Sequence, residues 1–162
     1  MTSVTLSPPE AQFVEAFLGA ATAVRRRVST DLARQHNITL SEYEALRHLA
    51  DATDHRMRLQ DLASALALSR SRISRMIEGF EREGLIERER PADDRRGWYA
   101  ILTPTGHDWL DRCERTFVWS VHRHALTALD PDTIQIITAA ARRLTLPAHK
   151  DASAPPRQEA RL

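Results

Sequence analysis

A single cysteine, Cys113, stands in the 162-residue chain, so no internal disulfide can form and a reducing compartment, the cytoplasm, is expected. Lysine is equally scarce. Lys150 is the only one, which leaves guanidinium groups to carry nearly all the positive charge. Arginine's planar fork favours bidentate pairing with phosphate or guanine. No apolar run approaches the ~18 to 20 residues of a membrane span, and no basic start leads into an apolar stretch as in a secretory signal. A Gly-rich phosphate loop, a nucleophile elbow and a clustered His/Cys/Asp/Glu set are all missing. That argues against an enzyme and leaves no cofactor or metal to be expected. His122 and His124 are two apart on a helix, so they do not share a face as i and i+4 ligands would. An excess of one charge is missing too, for the net value is +1.

What is present is a 42% hydrophobic, 28% charged chain, ordinary for a globular protein with one core. The informative charge is local. Arg70, Arg72 and Arg75 follow one another closely with no acid among them, and the acids Glu78, Glu81 and Glu83 come after. A locally basic, globally neutral chain is compatible with a specific DNA binder.

Ser7 with Pro8 and Pro9 reads as an N-cap and first turn, and Phe13, Phe17, Ala20, Val24 and Val28 recur at helical spacing. One long amphipathic helix over 8–35 follows, stopped by Asn37. Thr39 or Ser41 caps a second helix with Leu40, Tyr43, Leu46, Leu49 and Ala50 on its apolar stripe. Residues 51–57 read as a polar connection, and Arg58 with Leu59 as a short strand or the start of a helix. A third helix runs from Gln60 to about Ala67. Ser69 restarts the chain at once into a fourth over 70–83, the tight spacing of a helix-turn-helix. Gly84 is well placed as its left-handed stop. Two strand-like runs, 85–90 and 98–102, flank a turn at 91–97 rich in mixed charge, as in a β-hairpin wing. Thr103 and Pro104 start a fifth helix over 104–128, and Asp130 with Pro131 a sixth that reaches Leu146 before Pro147. The tail 148–162 is polar, Pro-containing and reads as disordered.

On the fourth helix Ile73, Ile77 and Phe80, with Met76 beside them, face the core. Ser71, Ser74, Arg75, Glu78 and Arg82 lie opposite. A helix in the major groove reads bases with its N-terminal residues, here Ser69, Arg70, Ser71, Arg72, Ser74 and Arg75. Arginine can bond guanine O6 and N7 in bidentate fashion. A solvated helix with its arginines paired to Glu78 and its neighbours is the plainer alternative, disfavoured by the cap, the tight turn and the hairpin that follows. At the hairpin tip, Arg95 and Arg96 are placed to enter a narrow minor groove, with Asp94 holding Arg96 or capping the turn. Glu78 on the reading face either accepts from cytosine N4 or repels phosphate.

The stretches LSEYEALRHLA at 40–50, LQDLASALALSRSRISRMIEGFEREGLIER at 59–88, and DDRRG with ILTPTG at 93–106 together resemble the MarR family of bacterial transcriptional regulators. Asp94 and Arg96 match the family's Asp-x-Arg wing signature; Leu102, Thr103 and Gly106 match its Leu-Thr-x-x-Gly lead into the fifth helix. The resemblance implies a mainly α fold with a small β-hairpin: a winged helix-turn-helix domain at 37–103 and a helical dimerisation region at 1–36 and 104–147. It implies a homodimer bound to double-stranded DNA at a pseudo-palindromic operator, acting as a repressor released by a small-molecule effector. The apolar faces of 8–35 and 104–146, more than one winged domain covers, agree with a dimer. Tyr43, Arg47, His48 and Trp109 are candidates to line the effector pocket, although Tyr43 and Trp109 also fit the core and Arg47 and His48 the surface. Cys113, between Leu110 and Phe117, reads as a buried, inert thiol. Thiol-switch members of the family carry a cysteine near the N-terminus, and this chain has none there. The competing reading is a winged helix that binds protein, or DNA without sequence preference.

Overall fold

The structure is a computed structural model that describes residues 5–90 and 97–145. Asp94, Arg95 and Arg96, Leu146 with Pro147, and the tail 148–162 lie outside the described residues. Among the described residues no helix is long and apolar enough to cross a membrane.

Helix α1 (Pro8–His36) opens where the Glu10 carboxylate accepts the Ser7 backbone N–H at 2.7 Å. It closes at Asn37, which takes the left-handed conformation (φ 55°) and donates its N–H to Ala33 O. Helix α2 (Leu40–Asp51) has a full capping box: Thr39 accepts from the Glu42 amide, and Glu42 accepts from the Thr39 amide. After a 3-10 turn at Thr53–His55, strand β1 (Arg56–Arg58) leads into α3 (Leu59–Ala65).

The turn to α4 (Arg70–Arg82) is built on Ala67, whose φ of 51° lets Leu68 N–H reach back to Ala63 O at 2.9 Å. Gly84 ends α4 in the same way at φ 70°, with Leu85 N–H bonded to Phe80 O. Strands β2 (Ile86–Glu89) and β3 (Tyr99–Leu102) pair antiparallel, and α5 (Pro104–His124) follows.

The sheet has three strands in the order β1-β3-β2, with Met57 opposite Ala100. The polar connection expected at 51–57 therefore contains a strand, and the wing hairpin has a third member. Helix α3 is shorter than the 60–67 expectation, and α5 stops at His124 with a separate 3-10 turn at Leu126–Ala128.

Two compact units result, one ending at Ala125 and one starting at Leu126. The first holds the core: Leu32, Tyr43, Leu46, Leu49, Leu62, Ile77 and Cys113 are fully buried. It gathers α1, α2, α4, the sheet and α5 around one apolar centre. The second contains α6 (Pro131–Thr145), capped by Asp130, whose carboxylate accepts the Thr133 N–H at 2.9 Å.

Candidate nucleic-acid interface

Helix α4 presents the arginine face because its other face is committed. Ile73, Ile77 and Phe80 are 1%, 0% and 5% exposed, so the 3.6-residue repeat turns Ser71, Arg72, Arg75 and Glu78 outward. Ser69 caps the helix with extended backbone, its Oγ accepting the Arg72 N–H at 3.4 Å and lying 3.2 Å from Ser71 Oγ. Arg75 Nε donates to the Ser71 carbonyl at 3.3 Å, which lays its stem along the helix and leaves the guanidinium tip outward. Ser69, Arg70, Ser71, Arg72 and Arg75 are all exposed, and Ser74 is half-buried. Six residues expected on the reading face thus share the first turns of one helix.

A cleft of about 160 Å³ joins this helix to the sheet; Arg70 and Ser74 face Arg58, Gln60, Gly97 and Trp98 across it. Arg58 and Trp98 were not expected at the site. Strand pairing brings them there, since Leu59 N–H donates to Trp98 O at 3.0 Å and Arg58 lies opposite Tyr99. Arg58 Nε donates to the Tyr99 hydroxyl at 3.0 Å, while Arg56 stands 4.2 Å over the Tyr99 ring. Arg88 and Arg90 lie 5.6 and 5.7 Å from the Trp98 ring, itself 43% exposed. Cations over ring faces hold extended guanidiniums in place, and two of these also pair with acids, Arg88 with Glu81 at 2.5 Å and Arg56 with Glu89 at 3.7 Å. The sheet therefore sets arginine side chains, part of them balanced by glutamates, beside the first turns of α4.

Of the four residues considered for a ligand pocket, Tyr43 and Arg47 come together. The Tyr43 hydroxyl donates to Glu114 on α5, Arg47 Nη1 lies 3.2 Å from that hydroxyl and 3.4 Å from the Glu114 carboxylate, and Phe117 stacks on Tyr43 at 4.7 Å. Burial, then the Glu114 hydrogen bond, pushes the Tyr43 phenol well above its usual range, so it stays a donor. His48 is exposed on α2. Trp109 lines a different cleft of about 350 Å³, with His36 and Glu42 on one side and Arg75, Met76 and Arg82 on the other.

His36 lies against Trp109, edge to face with ring centroids 6.3 Å apart. Thr116 donates to Gln35 Oε1 at 2.8 Å, so its oxygen accepts from His36 Nε2 at 2.8 Å. Burial, then Arg112, lowers the His36 pKa and keeps the ring neutral. Cys113 is fully buried, and burial pushes its thiol up to about 11.

The comparisons agree with this geometry. The MarR family profile matches residues 36–97. The crystal structure of AbsC, a MarR family transcriptional regulator from Streptomyces coelicolor, is 30% identical with a TM-score of 0.78, covering 88% of this chain and 95% of that one. Sco3205 of the same organism, a MarR family regulator crystallised in complex with DNA, is 27% identical with a TM-score of 0.79, covering 86% and 91%. A sequence relative, the uncharacterized HTH-type transcriptional regulator YkoM of Bacillus subtilis (strain 168), is 30% identical over 62% of this chain and 63% of its own length. The fold and the site define a winged helix-turn-helix protein. The chain belongs to the MarR family of transcriptional regulators.

Proposed function

We propose that this protein is a cytoplasmic homodimeric repressor that binds a pseudo-palindromic operator in double-stranded DNA and is released by a small-molecule effector. The observation that carries the reading is the Ser69-capped helix α4, whose exposed Arg70, Arg72 and Arg75 stand beside an arginine-bearing sheet. Helix α4 enters the major groove, with Arg75 as the residue best placed at a base edge. The minor-groove contact is assigned to Arg95 and Arg96, with Asp94 holding Arg96 or capping the turn, on their place in the sequence alone.

Two-fold pairing through the regions 1–36 and 104–147 is supported by the apolar side chains that one chain leaves uncovered. Phe13, Leu18, Trp119 and Ile136 are 54%, 57%, 47% and 69% exposed. Isolated exposed apolar residues are ordinary, but rows of them along helices mark an interface. Pairing places two α4 helices about one DNA turn, ~34 Å, apart. The winged domain is 37–103.

The effector acts where it touches two elements at once. In the cleft of Trp109, a ligand between His36 on α1 and Arg75 or Arg82 on α4 binds one α4 position better than another, and that difference is all it can transmit. Selection from a random duplex pool with the purified protein tests the reading. The expected product is one near-palindrome with half-sites about 10 base pairs apart, bound ~10³-fold better than random DNA. Salt-sensitive binding with no enrichment points instead to an architectural DNA binder; no binding at low salt, to a protein partner.

A further inference from the structure

A second cleft, of about 460 Å³, lies between the middle of α1, the start of α2 and the first turn of α4. Its walls carry hydroxyls and guanidiniums: Thr22, Arg26 and Ser29 from α1, Thr39 and Ser41 at the start of α2, and Arg72 from α4. Arg25 also borders it, but its guanidinium is held by Glu44 through two bonds of 2.8 and 3.1 Å. Arg26 and Arg72 are exposed, and neither pairs with a carboxylate among the described residues.

A further depression of about 360 Å³ continues the path from Thr39 and Arg72 to Arg75 and Met76 on the reading helix. Glu42 is the acid on that path, and its carboxylate already accepts the Thr39 amide and hydroxyl, both at 2.8 Å. Two guanidiniums without a carboxylate partner among the described residues, with the Thr22 and Ser41 hydroxyls beside them, thus form a track from Arg75 to the middle of α1. Ser29 and Thr39 are spent on the Leu40 amide and the α2 cap. Like charges lining one cleft repel each other, so folding gives no reason for them. A polyanion does.

We propose that the duplex backbone, on leaving the major groove beside α4, runs into this cleft with Arg26 and Arg72 as phosphate ligands. Helix α1 then grips DNA through its middle while its apolar residues pair the two chains. This rests on α4 being the reading helix. Phosphate contacts fix register and carry no base preference, so Arg26 sets affinity and Arg75 sets choice.

The test uses the full-length protein on the selected duplex and on a random-sequence duplex, with affinity followed from about 50 to 300 mM salt. Arg26→Ala is expected to weaken both complexes roughly ten-fold at ~100 mM salt. It should also make the slope of log K against log salt shallower by ~0.9 per lost contact, ~1.8 for two protomers. Arg26→Lys should keep the slope. A wild-type slope in Arg26→Ala, or a loss confined to the selected duplex, overturns the proposal. If Arg75→Ala loses the selected duplex while Arg26→Ala binds as wild type, the reading of α4 stands and this inference alone fails. If wild type binds neither duplex, both fail.

Discussion

Gly106 meets Leu85 backbone to backbone: a Cβ on Gly106 would lie 2.1 Å from the Leu85 carbonyl oxygen and 2.6 Å from Leu102 Cδ1. The carbonyl is tied in place, since Thr103 Oγ1 shares its one proton between Gly84 O at 2.7 Å and Leu85 O at 3.1 Å while accepting the Gly106 N–H at 3.0 Å. The first turn of α5 is thereby fixed to the segment that leads from α4 into the wing.

Gly106→Ala is expected to cost ~1 to 3 kcal/mol through this clash. A thermal melt should fall by ~2 to 4 °C per kcal/mol for a chain of this size. An unchanged melting temperature would show that the contact is looser than described.

The Tyr43 hydroxyl joins α2 to α5 through Glu114 at the edge of the core, where the carboxylate is still 40% exposed. Tyr43→Phe keeps the ring stack on Phe117 and deletes the bond, leaving Glu114 to Arg47 and solvent. The expected loss is ~1 to 2 kcal/mol in denaturant unfolding with no change in m-value. A stability equal to wild type would mean that the ring alone does the packing.

Asp31 gives the acid dependence its sign. Its carboxylate accepts from Ser120 Oγ at 2.7 Å and lies 3.0 Å from His124 Nε2, and the Ser120 bond first, then His124, hold its pKa below the ordinary carboxylate value. A depressed folded pKa contributes stability that is present above the unfolded value, about 3.9. It is lost as pH falls through the folded one. Wild type should therefore lose more stability than Ser120→Ala between about pH 5 and 3. Parallel curves for the two proteins would remove this group from the account.

With its thiol pushed up to about 11 and no exposure, Cys113 should be inert. Less than about a hundredth is thiolate at pH 8, so an alkylating reagent should label it only in denaturant. Rapid labelling of the folded protein would reopen a redox role.

How much of this was legible depended on whether the cause is local. Ser7, Thr39, Ser69, Thr103 and Asp130 were read as helix starts, with Ser41 the alternative to Thr39, because a cap is a bond within three residues. The inward face of α4 was readable from the spacing of Ile73, Ile77 and Phe80. Strand β1 was read only as far as a possible start at Arg58: Arg-Met-Arg becomes a strand through pairing with Tyr99–Ile101, some forty residues away. The same distance hid Arg58 and Trp98 as neighbours of Arg70. The helix-turn-helix turn was placed correctly, but its left-handed residue is Ala67, where glycine would be the easier choice. Arg26 was invisible for a related reason. On a wheel it is one more polar residue of α1, and only the fold sets it across a cleft from Arg72.

The most direct measurement is fluorescence anisotropy of wild type and Arg75→Ala on the selected duplex and its scrambled counterpart at two salt concentrations. The account predicts tight, salt-sensitive binding of wild type to the selected duplex, and a loss of ~1 to 3 kcal/mol for Arg75→Ala there, with scrambled DNA little affected. Equal affinity of the two proteins for both duplexes would contradict it and move the reading face away from α4.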